Sequence, residues 1–128
     1  LELDGGRRVK AGKVVIATGS ELASPPVPGL ADLGFLCSDT ALTLTRLPES
    51  LIVLGGGAVA LEFAQYFSRL GSRVTVIQRG SHVLREADPD VARELEAALR
   101  AEGIAVITGT RLIGVEADPA GKRVRFVH

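Results

Sequence analysis

The sequence is poor in the residues that do redox, metal and acid–base chemistry. Its 128 residues include one cysteine, two histidines, no methionine and no tryptophan, and aromatics make up only 4%. With Cys37 alone, the chain can form no internal disulfide, no cysteine-based metal cluster and no dithiol pair. His82 and His128 are far apart without ligand spacing, so we expect His82 to be a loop side chain and Cys37 a small, partly buried residue. We therefore predict neither a metal site nor a catalytic residue.

The sequence also lacks an excess of either charge and any long hydrophobic run. Fifteen basic residues balance fifteen acidic ones, for a net charge of zero. This balance argues against a nucleic acid or an acidic membrane surface as partner. No apolar run approaches the roughly 20 residues of a membrane span, and no leader pattern is present. The expectation is a soluble, cytoplasmic protein without a membrane partner.

What the sequence does contain is an aliphatic core. Apolar residues form 46% of the chain, and because aromatics are scarce they are mostly Val, Ile, Leu and Ala. A chain of this length can bury one core. This composition is typical of a parallel sheet flanked by helices.

The most informative segment is a glycine turn between a strand and a helix. Four apolar residues at positions 51–54 run into Gly55, Gly56 and Gly57, and helix-forming residues follow to position 70. A helix that starts at such a turn directs free backbone N–H groups and its positive dipole end at one point, which suits a pyrophosphate. The pattern is G-x-G-x-x-A. The residues predicted to contact a dinucleotide here are Gly55, Gly56, Gly57, Ala58, Val59 and Ala60.

The surroundings of the turn match those of a dinucleotide site. A second strand is predicted over residues 73–78, after a helix that ends at Gly71, and Gln78 lies 21 positions past Gly57. A strand, a turn, a helix and a second strand with a polar residue at its end form the βαβ unit that the fingerprint requires. The alternative is a structural glycine turn in some other α/β protein.

The N-terminal third reads differently from the rest. Residues 1–18 predict a β-hairpin with a turn at 4–6 and an apolar strand at 14–17. Residues 25–29 hold four helix and strand breakers, so residues 20–36 are predicted to be a linker. A short helix over residues 40–45, capped by Ser38 or Asp39, should follow.

The C-terminal part predicts a helix, a strand and a hairpin. Asp88 is an N-cap followed by Pro89, and Val91, Leu95, Ala98 and Leu99 are predicted to form the apolar face. A third strand is expected over 104–108, then an antiparallel hairpin of residues 115–117 and 124–127. The predicted fold class is α/β, a Rossmann-like doubly wound parallel sheet with an antiparallel β-hairpin or meander crossover.

Taken together, these segments resemble the flavin-dependent pyridine nucleotide–disulfide oxidoreductases. The resemblance lies in residues 14–20, the Pro-Gly linker, residues 47–51, the glycine turn and residues 60–64, in the same order. It covers essentially the whole chain but only the middle of a family member of the glutathione reductase, dihydrolipoamide dehydrogenase or mercuric reductase type. It implies that residues 1–20 are the edge of an FAD-binding domain, 21–46 a linker with a short helix, and 47–128 a truncated NAD(P)-binding domain.

The resemblance also assigns expected roles. Thr18 and Gly19 would lie against FAD in a complete protein, Glu62 would approach the point where nicotinamide meets flavin, and Leu112 would line the adenine side. Ala58 stands where glutathione reductases commonly place a gating tyrosine, which argues against that enzyme. Paired cysteines would precede residue 1 and a histidine–glutamate pair would follow residue 128, so the fragment alone is expected to be inactive. The parent chain would add an FAD domain and a dimer domain and form a homodimer.

The end of the second strand bears on cofactor choice. NAD sites usually place a carboxylate there, whereas this chain has the neutral Gln78, then Arg79 and Arg85. Two guanidinium groups can bind a 2′-phosphate, and family members that use NADPH show two arginines at this spacing. Ala60 favours the same choice. NADP is therefore favoured over NAD, although a solvated mixed-charge loop and a Gln78 that tolerates NADH remain alternatives.

Two other functions fit part of the pattern. A flavin-free NAD(P)-dependent dehydrogenase would need a catalytic His, Lys or Tyr near the nicotinamide, and the sequence offers no candidate. A non-catalytic NAD(P)-binding module would leave residues 18–19 without a purpose. The predicted function is an NAD(P)H-binding domain that positions the nicotinamide for hydride transfer to flavin.

Overall fold

The computed structural model describes residues 2–128; Leu1, where the predicted N-terminal hairpin would begin, lies outside the described residues. In chain order the helices and strands are α1 (Leu30–Leu33), α2 (Ser38–Ala41), β1 (Ser50–Leu54), α3 (Ala58–Arg69), β2 (Arg73–Ile77), α4 (Pro89–Ala101), β3 (Ala105–Ile107), β4 (Arg111–Asp118) and β5 (Gly121–Val127).

Strands β1, β2 and β3 form a parallel sheet in that spatial order. Ser50 pairs with Arg73 and Leu54 with Ile77, and Thr75 pairs with Ala105 on the other side. Helices α3 and α4 make the two crossovers and pack against these strands, as parallel neighbours require. The predicted α/β class with a Rossmann-like parallel sheet is confirmed. Gln78 follows the last residue of β2 directly.

The core lies between the sheet and these helices. On β2, Val74 and Val76 are buried on the face that α3 covers, while the side chain of Arg73 is exposed. This alternation is the two-residue period of a strand, so one face of β2 consists of branched aliphatic groups. The buried core cluster also contains Leu61, Ala64, Phe67, Val83, Ala92, Leu99, Ile104 and Val106.

Helix α4 begins as predicted but turns a different face inward. Asp88 accepts a hydrogen bond from the Asp90 amide at 2.9 Å, and Pro89 occupies the first helical position. The buried residues are Ala92, Glu96 and Leu99. The prediction that Val91 and Ala98 face the core is wrong, because packing rotates the helix by one residue and leaves Val91 57% exposed.

Strands β4 and β5 form the predicted antiparallel hairpin, and both strands are longer than predicted. The Pro-Gly segment is hydrogen-bonded to this hairpin, since the Val115 amide donates to the Pro28 carbonyl at 2.8 Å. Gly29, with φ of 76°, fits only as glycine: a Cβ there would lie 2.1 Å from the Val115 carbonyl oxygen. Helix α1 follows immediately, inside what the sequence predicts to be a linker.

The N-terminal segment forms less regular structure than predicted. The turn at residues 4–6 is present, with a bridge between Glu2 and Arg8 and a 2.8 Å hydrogen bond from the Leu3 amide to the Arg7 carbonyl. The predicted strand at 14–17 is wrong for this chain. Val15 and Ile16 are 88% and 85% exposed and pair with no strand among residues 2–128. An isolated apolar run cannot be a strand without a neighbour that bonds its backbone.

Helix α2 is shorter and begins earlier than predicted. It spans Ser38–Ala41, and its N-cap is Cys37 rather than Ser38 or Asp39. The Thr40 hydroxyl accepts a 2.9 Å hydrogen bond from the Cys37 amide, so Thr40 closes the first turn from inside. None of the helices in the described part of the chain has the length and apolar character needed to cross a membrane.

Candidate dinucleotide site

The glycine turn (Gly55, Gly56 and Gly57) joins the carboxyl end of β1 to α3. Gly55 has φ of 110°, a conformation that favours glycine, and its amide donates to the Ile77 carbonyl at 2.9 Å. The turn is therefore bonded to the end of β2. This is the edge of a parallel sheet at which open α/β folds bind ligands.

The N-terminus of α3 carries no side-chain cap. Gly57 is its N-cap residue, with φ of −78° and ψ of 171°, and the first turn contains no acidic residue. Helix geometry leaves the first N–H groups without partners in the helix. A Cβ built on Gly57 would meet nothing within 4 Å, so the space beside these N–H groups is open. Ala58 and Val59 are exposed and Ala60 is half-buried.

This arrangement fits the pyrophosphate of a dinucleotide. Any residue can adopt the backbone conformation of Gly57, so backbone strain does not require a glycine at this position. What its missing side chain provides is room at the positive end of a 12-residue helix. The donor set consists of backbone amides with no carboxylate to repel an anion.

Gln78 lies against the glycine turn. A Cβ on Gly56 would come within 3.3 Å of both the Cβ and the Cδ of Gln78. The Gln78 amide nitrogen Nε2 donates to the His82 carbonyl at 3.3 Å. Its Oε1 accepts no hydrogen bond from any described residue, and thus is available to a ribose hydroxyl.

The arginine loop, residues 79–87, is bonded to the same turn. The Leu84 amide donates to the Gly56 carbonyl at 2.7 Å, and the Val83 side chain is fully buried beside Gly56. His82 is a loop residue, as predicted, and its Nδ1 donates to the Val83 carbonyl at 2.7 Å. The loop is therefore held next to the turn.

The two arginines of this loop are exposed. Arg79 has no hydrogen bond or ion pair within the described chain, and Arg85 lies 3.9 Å from Glu86 with both side chains at least 80% exposed. Such a pair contributes little and is easily exchanged for another anion. Both guanidinium groups are thus free to bind a phosphate.

The segment between β3 and β4 is hydrogen-bonded to the start of the arginine loop and to Gln78 before it. Thr110, 3% exposed, donates to the Gln78 carbonyl from both its hydroxyl (3.0 Å) and its amide (3.2 Å). The Gly109 amide donates to the Gly80 carbonyl at 2.7 Å. Leu112 follows two residues later, half-buried and opposite Phe126 in the hairpin.

The remaining predicted residues lie outside this cluster. Glu62 is exposed on α3 and has no partner in the described part of the chain. Thr18 and Gly19 are exposed in a segment without regular structure and form no hydrogen bond with the other predicted site residues.

Cys37 is partly buried, as predicted, and the pKa of its thiol is lowered by hydrogen bonds from Thr40. No group of metal-ligating side chains occurs within residues 2–128.

The sequence interpretation missed four residues that hold the site together: Val83, Leu84, Glu96 and Thr110. Glu96 could have been found from the sequence, because a carboxylate follows Ala92 by one turn within an apolar helix face. Arg100 lies four residues further on, which is the spacing of an ion pair within a helix. Leu84 could not have been found in this way, since its φ of 48° is a consequence of how the loop is packed.

Comparisons with known proteins agree with this geometry. The family described as pyridine nucleotide-disulphide oxidoreductase matches residues 1–127. A mercuric reductase from Streptomyces lividans is 46% identical over 119 residues, covering 92% of this chain and 25% of that protein. An HOCl-induced flavoprotein disulfide reductase from Escherichia coli superposes with a TM-score of 0.80 at 32% identity, covering 88% of this chain and 26% of that one.

A third similar structure is an engineered water-forming NADPH oxidase bound to NADPH. It has a TM-score of 0.75 at 27% identity and covers 84% of this chain and 26% of its own. In that protein alanine replaces a glycine, and eighteen residues later alanine replaces an aspartate. Arginine replaces the residue directly after that aspartate, and a second arginine replaces a proline six positions after the first. The fifth change puts serine in place of the methionine that directly follows the first arginine. The chain spans about a quarter of the length of the proteins it matches.

Proposed function

The chain belongs to the pyridine nucleotide-disulphide oxidoreductase family, and we propose that it binds a nicotinamide dinucleotide and presents it to flavin. The observation that carries the proposal is the open space at Gly57. A Cβ there meets nothing within 4 Å, although the residue begins a helix whose first amides have no cap. A ligand that is anionic and approaches the backbone closely makes use of both features.

In this proposal the residues of the chain bind and orient the cofactor. The first amides of α3 donate to the pyrophosphate, and Gly55 gives the turn its shape. Gln78 accepts from a ribose hydroxyl through Oε1, and Leu112 lies on the adenine side. When bound, the nicotinamide supplies a hydride and flavin accepts it. Glu62, exposed and unpaired within the described chain, lies on the helix that starts at the pyrophosphate and is proposed to approach the nicotinamide–flavin contact.

We further propose that NADPH is preferred to NADH. Arg79 and Arg85 are exposed and can bind the 2′-phosphate, and the position directly after β2 holds Gln78 rather than a carboxylate that would repel it. The engineered NADPH oxidase supports this, because its changes have the same spacing as residues here. Ala60 and Gln78 are eighteen residues apart, and Arg79 and Arg85 are six apart. Three of the five introduced residues are therefore present here, namely Ala60, Arg79 and Arg85. Gln78 stands where the second alanine would be and Gly80 where the serine would be.

The wider setting is part of the proposal. Residues 1–20 would belong to an FAD-binding domain, with Thr18 and Gly19 against the flavin, and 21–46 would be the linker to a nucleotide domain at 47–128. The exposed residues 14–16 support this, because an unpaired aliphatic segment of strand-forming residues gains most from a sheet supplied by another domain. A dimer domain would complete a homodimeric parent.

Calorimetric titration of the 128-residue chain with NADPH and with NADH tests the binding proposal. We expect a single site for NADPH and weaker binding of NADH. Adenosine 2′,5′-bisphosphate, which carries the 2′-phosphate without nicotinamide, should compete with NADPH. If neither dinucleotide binds and the chain is folded, the chain alone is not a nucleotide site and the proposal is wrong.

A further inference from the structure

Glu96 is a carboxylate in the core face of α4. The residue is 7% exposed and shares that face with Ala92 and Leu99. A buried carboxylate is unfavourable unless its oxygens are hydrogen-bonded and its charge is paired. The contacts that satisfy it therefore indicate what it holds in place.

Both oxygens of Glu96 have partners, and the two partners belong to different parts of the molecule. Oε1 accepts from the Val83 amide in the arginine loop at 3.0 Å. Oε2 accepts from Nη2 of Arg100 at 3.1 Å, and the same nitrogen donates to the carbonyl of Val106 in β3 at 3.1 Å. Glu96 thus connects the loop to the helix and, through Arg100, to the sheet.

The residues it holds are those that fix the arginine loop to the glycine turn. Val83 is fully buried beside Gly56, and the next amide, that of Leu84, donates to the Gly56 carbonyl at 2.7 Å. Among the described residues, Leu84 is the only non-glycine with positive φ. A strained backbone of this kind persists only where its surroundings determine it.

The charge of Glu96 does not oppose a phosphate on the loop. Arg100 forms an ion pair with it, so the pair adds no net charge beside Arg79 and Arg85. The carboxylate can therefore hold the loop without repelling an anion bound there.

We infer that Glu96 is a positioning residue for the cofactor site: by accepting from the Val83 amide, it holds the arginine loop where Arg79 and Arg85 can reach the 2′-phosphate. This inference rests on the proposed function for its link to NADPH. Its structural half, the control of the loop by one carboxylate, stands independently.

Three variants separate the hydrogen bond from packing and charge. Glu96→Met keeps the volume but removes the acceptor, Glu96→Gln keeps an acceptor for the Val83 amide, and Glu94→Met removes an exposed carboxylate from the same helix. Two readouts are needed: amide hydrogen exchange at Val83 and Leu84, with Val76 in β2 as internal reference, and the dissociation constants of NADPH and NADH.

In Glu96→Met we expect exchange at Val83 and Leu84 to accelerate about tenfold or more, because a hydrogen bond to a charged group is lost. Exchange at Val76 should not change. NADPH affinity should fall about tenfold, and NADH affinity by less, since only NADPH uses the arginines. Glu96→Gln should keep most of the exchange protection and most of the NADPH affinity, and Glu94→Met should match the original chain in both.

Unchanged loop exchange in a folded Glu96→Met would overturn the inference, as would faster loop exchange with an unchanged NADPH-to-NADH affinity ratio. If the original chain binds neither dinucleotide, the proposed function fails, while the exchange data still decide whether Glu96 holds the loop. Should Glu96→Met not fold, Arg100→Gln removes the cation that orients the carboxylate. Faster exchange at Val83 would then support the inference, and unchanged exchange would overturn it.

Discussion

The amide nitrogen of Leu84 lies 2.7 Å from the carbonyl oxygen of Gly56, which joins the middle of the arginine loop to the middle of the glycine turn. These two segments are 28 residues apart in the sequence. Because their backbones are bonded directly, the segments that carry the proposed pyrophosphate and 2′-phosphate sites are held side by side before any ligand binds. Such preorganisation lowers the entropic cost of binding.

Gly57→Asp is expected to separate stability from binding. Aspartate is a good N-cap, and the backbone at Gly57 suits any residue, so the free energy of unfolding should rise by a few tenths of a kcal/mol. The carboxylate would occupy the proposed pyrophosphate space, so NADPH affinity should fall about 100-fold or more, equivalent to roughly 2.8 kcal/mol. Chemical denaturation and calorimetry measure the two effects. Gly12→Asp, at another glycine with open space, is the matched control and should change neither.

Removing either loop arginine is expected to weaken NADPH binding selectively. Arg79→Gln and Arg85→Gln each delete charge-assisted hydrogen bonds worth about 1.5–3 kcal/mol, or about tenfold or more in affinity. NADH binding should change by less than about twofold. Arg46→Gln removes an exposed arginine outside the loop and should affect neither cofactor. An equal loss for both cofactors would mean that the arginines do not contact the 2′-phosphate.

Gln78→Glu should shift preference towards NADH. A carboxylate after β2 accepts from both ribose hydroxyls and repels a 2′-phosphate. We expect the ratio of NADPH to NADH affinity to fall about tenfold or more, a difference of roughly 1.4 kcal/mol. Competition titrations with both cofactors on one preparation give this ratio. Ala97→Glu, which adds a carboxylate on the exposed side of α4, serves as control. A ratio unchanged by Gln78→Glu would place phosphate selection elsewhere.

Gly29→Ala should destabilise the fold by more than its backbone strain alone. A positive φ imposes about 1–3 kcal/mol on a non-glycine residue, and the new Cβ would lie 2.1 Å from the Val115 carbonyl oxygen. Gly103→Ala is the comparison, since that residue has φ of 85° but open space around it. Urea denaturation should therefore show a larger loss for Gly29→Ala. Equal losses would indicate that the Pro-Gly segment leaves β4 easily.

The ion pair between Arg69 and Glu102 predicts a pH-dependent contribution to stability. The hydrogen bond from the Arg69 guanidinium lowers the pKa of Glu102, and Gln65 adds a third donor. A carboxyl whose pKa is lowered on folding stabilises the fold above its ordinary pKa, and this contribution is lost as the pH falls through the folded value. The difference in Tm between the original chain and Glu102→Gln should be constant from neutral pH to about 4.3 and shrink below it. Glu94→Gln should show no such difference at any pH.

Much of the fold follows from local sequence. The glycine turn, the N-cap at Asp88 and the hairpin of β4 and β5 are set by backbone preferences within a few residues, and each occurs where it is predicted. The strand and helix types follow in the same way, because alternation and 3.6-residue periodicity are local properties.

Tertiary packing decided the rest. Whether α4 buries Val91 or Ala92 depends on a rotation of one residue that only the sheet beneath it can set. Residues 14–17 have strand-forming side chains but pair with no strand within the described chain. The loop around Leu84 takes its conformation from Gly56 and Glu96, which are distant in sequence. The sequence alone determined where the glycine turn forms, because that turn depends on glycines in a row. The position of the two arginines beside it depends on hydrogen bonds between separate segments, which only the folded chain brings together.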